Sequence, residues 1–163
     1  MSYPDPRYLG ATGEVSARFR PASHEPELKI GRMTAASYLA TGESTGGKFG
    51  LYRWDMAPGV PGAAPHFHRT ISESFFILSG TVGLFDGETW TEATSGDYLY
   101  VPEGGLHGFR NASSEPASML ILFAPGAPRE GYFEGLADRA MGRREFTPEE
   151  FREFCDAHDN YFV

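Results

Sequence analysis

Two histidines stand two residues apart in Pro65-His66-Phe67-His68. On an extended strand, residues two apart point to the same face. Their Cα atoms lie about 6.5 Å apart, so both imidazoles can converge on one ion. Glu73 follows after four intervening residues, enough for a turn or bulge and a return to the same side. His107 stands beyond the breaker run Pro102-Glu103-Gly104-Gly105, on a later strand. Three imidazoles and one carboxylate make a mononuclear metal site. Alone, a His-x-His pair more often serves the surface or packing, so the surrounding pattern carries the weight.

The segments that must position these residues read as short strands. Phe49-Gly50-Leu51-Tyr52-Arg53-Trp54, Ser74-Phe75-Phe76-Ile77-Leu78, Thr81-Val82-Gly83-Leu84-Phe85, Asp97-Tyr98-Leu99-Tyr100-Val101 and Ala117 to Phe123 are rich in β-branched and aromatic residues and are bounded by Gly, Pro, Asn and Asp. Asp86-Gly87 is a two-residue hairpin signal, with Glu88-Thr89-Trp90-Thr91 alternating on its far side. Closely spaced strands of this kind predict an all-β antiparallel sandwich or closed barrel over residues 27–124. Residues 1–26 read as an arm with one short strand at Val15-Phe19. Residues 125–163 read as a helical extension. Glu130 to Met141 forms one helix, with Tyr132, Phe133, Leu136 and Ala140 to one side. Thr147-Pro148-Glu149-Glu150 opens a second, with Thr147 and Glu150 as a capping box and Phe151, Phe154 and Cys155 towards the core.

Both histidine segments fall into spaced motifs. The first is His66-x-His68-x4-Glu73-x6-Gly80, and the second is Gly96-x5-Pro102-x-Gly104-x2-His107-x3-Asn111. Together they resemble the two signature motifs of the cupin family. The second agrees at every signature position. The first departs once, where Val60 stands in place of a glycine six residues before the first histidine. That position belongs to a turn and not to a ligand. The glycines serve the turns: Gly80 lets one strand turn tightly into the next, and Gly104 sends His107 back towards the interior. Asn111 is expected to satisfy backbone groups and not to react.

The resemblance implies an antiparallel double-stranded β-helix, the jelly-roll barrel of cupins, with short C-terminal helices. It also implies that His66, His68, Glu73 and His107 bind one divalent metal ion per chain. The ligands carry one negative charge, so a doubly charged ion keeps an excess of +1 for an enolate or phenolate oxygen. Four ligands would close a tetrahedral zinc site, whereas an octahedral-leaning ion keeps two open positions. Fe, Mn, Ni, Co or Cu is therefore favoured, with Zn possible. Ala124-Pro125-Gly126 and Tyr132-Phe133-Glu134-Gly135-Leu136-Ala137 are similar to the segment leaving the barrel of quercetin dioxygenase-like bacterial cupins. In those enzymes the ligand glutamate also acts as base, a catalytic role that would fall on Glu73.

Strand parity suggests a pocket wall. Phe75 and Ile77 share the face of Glu73, and Phe109 shares that of His107, while Phe67 points away. Tyr52, Trp54 and Met56 form one face of an earlier strand, facing either the pocket or the outer core. Arg53 could pair with Glu73 or clamp a substrate carboxylate, although exposure to solvent is expected. His24 and His158 are expected at the surface. Ser79 and Ser95 lack the strand-turn-helix setting of a serine nucleophile.

The net charge of −8 disfavours nucleic acid and anionic lipid as partners. One cysteine excludes an internal disulfide framework. No apolar run approaches the roughly 20 residues of a membrane span, and Met1-Ser2-Tyr3-Pro4-Asp5 has no leader character, so a cytoplasmic protein is expected. The functional expectation is a dioxygenase acting with O2 on a small aromatic, phenolic or enolisable substrate, as a homodimer. A non-redox isomerase or polyketide cyclase and a non-catalytic small-molecule-binding barrel are the alternatives.

Overall fold

A computed structural model describes residues 2–163. Strands β1 (Leu28–Ile30), β2 (Thr34–Ala40), β3 (Gly50–Met56), β4 (Ala63–Phe67), β5 (Ser72–Ser79), β6 (Thr81–Phe85), β7 (Trp90–Thr94), β8 (Tyr98–Val101), β9 (His107–Arg110) and β10 (Ala117–Ala124) build the barrel. Helices α1 (Glu130–Ala140) and α2 (Pro148–Ala157) and the short strand β11 (Tyr161–Phe162) follow. All pairings are antiparallel. One sheet has the order β1-β2-β3-β10-β5-β8, the other β11-β4-β9-β6-β7. This is the expected double-stranded β-helix with two short helices after it.

The core lies between the sheets and follows from alternation. In β3, Tyr52, Trp54 and Met56 are buried while Arg53 is exposed. Across the sheet, Ile121 of β10 stands between Tyr52 of β3 and Phe75 of β5. Helix α1 then lays Tyr132 and Phe133 on the barrel, with the Phe133 ring 5.2 Å from Tyr52 and 5.1 Å from Trp54. Helix α2 has the capping box that its first residues predict, Thr147 Oγ1 accepting from the Glu150 amide and Glu150 accepting from the Thr147 amide. Cys155 is buried, and burial pushes its thiol up to about 11, so it is an inert packing residue.

Four local expectations are corrected. Val15-Phe19 forms no strand; Val15 and Phe19 are exposed and no neighbouring edge pairs with them. An unpaired strand gains no ladder hydrogen bonds to offset its ordering cost. The β6–β7 connection is longer than two residues, because Phe85 pairs with Trp90. Asp86 Oδ1 accepts from the amides of Glu88 and Thr89 and draws both into the turn. In α1 the buried alanine is Ala137, one turn before the exposed Ala140. His158 is half-buried instead of at the surface, its ring 4.5 Å from Phe154 and its Nδ1 bonded to the Phe154 carbonyl. Arg53 is exposed and pairs with Asp55, so it reaches neither Glu73 nor a ligand.

Gly80 and Gly96 both have positive φ, +71° and +94°. A Cβ at Gly80 would also meet the Pro116 carbonyl and lie 2.8 Å from Ala117 Cα, whereas Gly96 faces open space. Gly96→Ala is expected to cost about 1–2 kcal/mol of strain alone. Gly80→Ala should cost clearly more, because backbone must also move. Urea unfolding of the two variants checks this; equal losses would mean the Pro116 contact relaxes freely.

Candidate metal centre

His66 and His107 face each other across the β4–β9 pair, directly in register, with ring centroids 4.3 Å apart. Glu73, at the start of β5, reaches the same spot from the opposite sheet. His68 leaves the end of β4, its ring 5.0 Å from His66. The four ligand atoms lie within 4.8 Å of one another, and all four residues are buried. Phe67 points away and stacks on Tyr161.

Each imidazole is oriented through its Nδ1. His66 donates to the Ala64 carbonyl at 2.8 Å, His107 to the Gly105 carbonyl at 2.9 Å, and His68 to the Asp159 carbonyl. A proton held at Nδ1 leaves Nε2 as the free lone pair. The Nε2 atoms of His68 and His107 nevertheless stand 3.0 Å and 2.7 Å from the same oxygen of Glu73, Oε2. A carboxylate oxygen and two imidazole lone pairs at these distances repel unless a cation lies among them, either an extra proton or a metal ion.

The acid–base balance of the cluster agrees. Burial alone would raise the carboxyl of Glu73, but the bonds to His107 and His68 outweigh it and hold the group well below the usual carboxylate range. Burial pulls His107 down, while Glu73 pulls it further up, so it ends above its ordinary value. Burial, reinforced by the charge of His107, drives His66 down to about 3, so it is neutral and available as a ligand at physiological pH. Three buried imidazoles with fixed tautomers and one carboxylate fit a divalent transition metal. The cluster can therefore hold a metal ion.

The cluster opens on a cavity of about 760 Å³, to which both His66 and Glu73 contribute wall. The residues expected at the wall divide. Trp54 and Phe109 line it; Tyr52, Phe75 and Ile77 do not, and are corrected to core. Tyr52 is covered by Phe133 and by Glu130, which accepts from its hydroxyl at 2.5 Å. Phe75 packs beneath His107 and Phe109, with centroids 5.9 Å and 5.8 Å away. Parity places these side chains inside the barrel, but His107 and Phe109 lie over Phe75, α1 lies over Tyr52, and Ile77 is fully buried in the core.

Several wall residues come from beyond the barrel and were not apparent from local spacing. Tyr132 and Phe133 of α1, Arg129 before it, and Asn160 and Phe162 at the C-terminal end all line the cavity. Strand β11 adds to β4, with Phe162 opposite His66 and its ring 5.6 Å away. Asp159, at φ 56°, accepts from the amides of Arg69 and Thr70 and so holds its own carbonyl against His68. Asn111 takes the structural role expected of it, tying Ala57, Ser113 and Glu115 together. No helix is long and apolar enough to cross a membrane among the described residues.

Comparison with known proteins agrees with this geometry. Residues 52–123 match the family model described as Cupin domain. An uncharacterised protein of Aquifex aeolicus is 34% identical over 62 residues, 37% of this chain and 50% of the relative, so the match spans half the length of that relative. Among solved structures, KdgF from Halomonas sp. superposes with a TM-score of 0.52 at 14% identity, over 60% of this chain and 85% of its own. A predicted oxalate decarboxylase from Thermotoga maritima gives 0.53 at 20% identity, over 56% and 80%. The polyketide cyclase RemF from Streptomyces resistomycificus gives 0.50 at 22% identity, over 61% and 68%. At these identities the likeness is one of fold. The cupin-domain match spans the central strands that carry the cluster, and the solved structures share the fold of the barrel.

Two outcomes follow. Protein purified without chelator should carry about one transition-metal ion per chain by elemental analysis, and His66→Ala/His68→Ala should carry almost none; equal metal in both would place the ion elsewhere. The metal-free protein should lose stability as pH falls below about 6.5. In the folded chain His66 takes a proton only near pH 3, whereas the unfolded chain takes it near 6.5, so acid favours unfolding. Glu73 acts in the same sense, its contribution being lost as pH falls through its lowered folded value. His107 acts oppositely: its contribution is present below 6.5 and is lost as pH rises through its raised folded value. Urea midpoints from about pH 7 to about pH 4 should fall, and should fall less in His66→Gln. An equal fall in both would assign the acid sensitivity to other groups.

Proposed function

We propose that this cupin-fold chain is a mononuclear-metal enzyme, a dioxygenase that oxidises or cleaves a small phenolic or enolisable compound with O2. The observation that carries the reading is that His66 and Glu73 belong both to the buried ligand cluster and to the wall of a largely apolar cavity. His66, His68, Glu73 and His107 would hold the ion. A divalent ion there supplies Lewis-acid chemistry and, for Fe, Mn, Co, Ni or Cu, redox chemistry with O2.

The chain's own residues supply the rest. Trp54, Phe109 and Phe133 offer flat walls that accept an aromatic or enolic ring and displace water from it. Glu73 is ionised at neutral pH and faces the cavity, so it can accept the hydrogen bond of a substrate hydroxyl; its lowered pKa makes it a weak base, so the proton it would take is that of an acidic hydroxyl, as a phenol or enol next to a divalent ion would present. The tied Nδ1 atoms of the three histidines prevent the rings from turning, which keeps the base and the ligand atoms in one fixed arrangement. A homodimer is part of the proposal. Edge strand β8 presents Tyr98 and Tyr100 at 61% and 55% exposure, a surface on which a second copy could pair.

The reading is tested by oxygen uptake with a panel of phenolic and enolisable compounds, using protein loaded with each ion in turn. Oxygen consumption matched to substrate loss is expected. Glu73→Gln should reduce kcat by roughly 10²–10⁴-fold. Substrate loss without oxygen uptake would replace the dioxygenase with a non-redox isomerase or cyclase. No turnover with any ion would leave a small-molecule-binding barrel.

A further inference from the structure

Arg129 lies on the cavity wall at 3% exposure, and no carboxylate pairs with it among the described residues. Its protein partners are neutral: Nη1 donates to the His158 carbonyl at 2.6 Å and Nη2 to Asn160 Oδ1 at 3.3 Å. Its Nε has no partner. The guanidinium also lies over the rings of Tyr132, Phe123 and Phe133 at 4.5, 4.9 and 5.6 Å. Aromatic faces and neutral carbonyls soften the burial of a cation but leave its charge uncompensated.

A second donor is left over beside it. Asn160 is 1% exposed, spends its Oδ1 on Arg129, and has no partner for its Nδ2. It too lines the cavity. Two buried donors without acceptors on one wall are costly in a finished core and ordinary in a binding site awaiting an oxygen ligand.

The charge of the cavity points the same way. In a chain of net charge −8, the ionised residues lining this cavity are Arg129, Arg139 and Glu73, an excess of positive charge. Glu73 is the carboxylate whose charge acts most strongly on Arg129, yet it is committed to His68 and His107. An ion at the cluster would occupy it further. Asp159 also acts on Arg129 from a distance, but its carboxylate is spent on the Arg69 and Thr70 amides and the Thr70 hydroxyl. A direct anionic partner for Arg129 is therefore left to a bound molecule. A guanidinium edge with a free Nε matches the two oxygens of a carboxylate.

We propose that Arg129 and Asn160 form a carboxylate subsite, so that the molecule entering this cavity is a small aromatic or otherwise apolar acid. Arg129 is a binding residue that holds the acid group while the aromatic walls hold the rest. As a statement of substrate class this rests on the enzyme reading above. As a statement of binding it does not.

The test compares 2-naphthoate with 2-naphthamide, which share a shape and differ in charge, by calorimetry on chelator-treated and on zinc-loaded protein. The carboxylate should bind roughly tenfold tighter or better in both forms. Arg129→Gln should erase the preference, bringing the two ligands to equal affinity. Because loss of Arg129 could unfold the wall, Asn160→Asp serves as the second variant. It places a carboxylate of nearly the same shape beside the guanidinium, so it should keep or raise Tm and bring the two ligands to equal affinity. Equal binding of both ligands by the wild type would overturn the subsite, as would a preference that survives both folded variants. A preference seen only with zinc would assign the acid to the metal and overturn it too. A preference kept in the metal-free protein would sustain the subsite even if no ion or turnover were ever found.

Discussion

A carboxylate oxygen and two imidazole nitrogens held about 3 Å apart inside a barrel need a cation among them. Glu73 Oε2 stands in that position between His68 and His107, with both imidazoles tied through Nδ1 to backbone carbonyls. Much of the local architecture serves to enforce this crowding. The β4–β9 register sets His66 against His107, and β5 brings Glu73 from the other sheet. The Gly105 and Asp159 carbonyls fix ring orientation from two loops far apart in sequence. The cluster is expensive as a structural element and well formed as a cation site.

The segment after the barrel is as much part of the site as the barrel itself. Helix α1 closes one side with Tyr132 and Phe133, and Arg129 bonds across to His158 and Asn160 at the end of α2. That link joins two points 31 residues apart in sequence. Strand β11 then returns to the edge of β4 and covers His66 with Phe162. The C-terminal extension is therefore packed wall and not a loose appendage. It converts the open end of the barrel into a cavity with an apolar interior and a cationic side.

Legibility in the sequence followed the range of the interaction concerned. The hairpins, the Thr147 capping box and the positive-φ glycines Gly80, Gly96 and Gly104 rest on contacts within a few residues, and their residue types announce them. The Asp86 turn is longer than its Asp-Gly pair predicts because one side-chain oxygen captures two amides, a preference that competes with the two-residue hairpin. Strand β11 is two residues long and exists only because the β4 edge was left open beside it. Nothing in Tyr161-Phe162 by itself specifies an edge to join.

The sequence by itself singled out the four residues of the buried cluster, because strand parity and two short motifs are local and put His66, His68, Glu73 and His107 on inward faces. It also determined the barrel and its two following helices. The tertiary structure alone decided which inward side chains meet open space. Tyr52, Phe75 and Ile77 share parity with the wall residues yet are buried, Phe75 against Phe109 of the other sheet and Tyr52 against Phe133 of α1. Arg129 and Asn160 carry no periodic signal, and their pairing depends on how the two helices fold back. Parity assigns a face; only packing between distant segments determines whether that face is covered or left as a cavity.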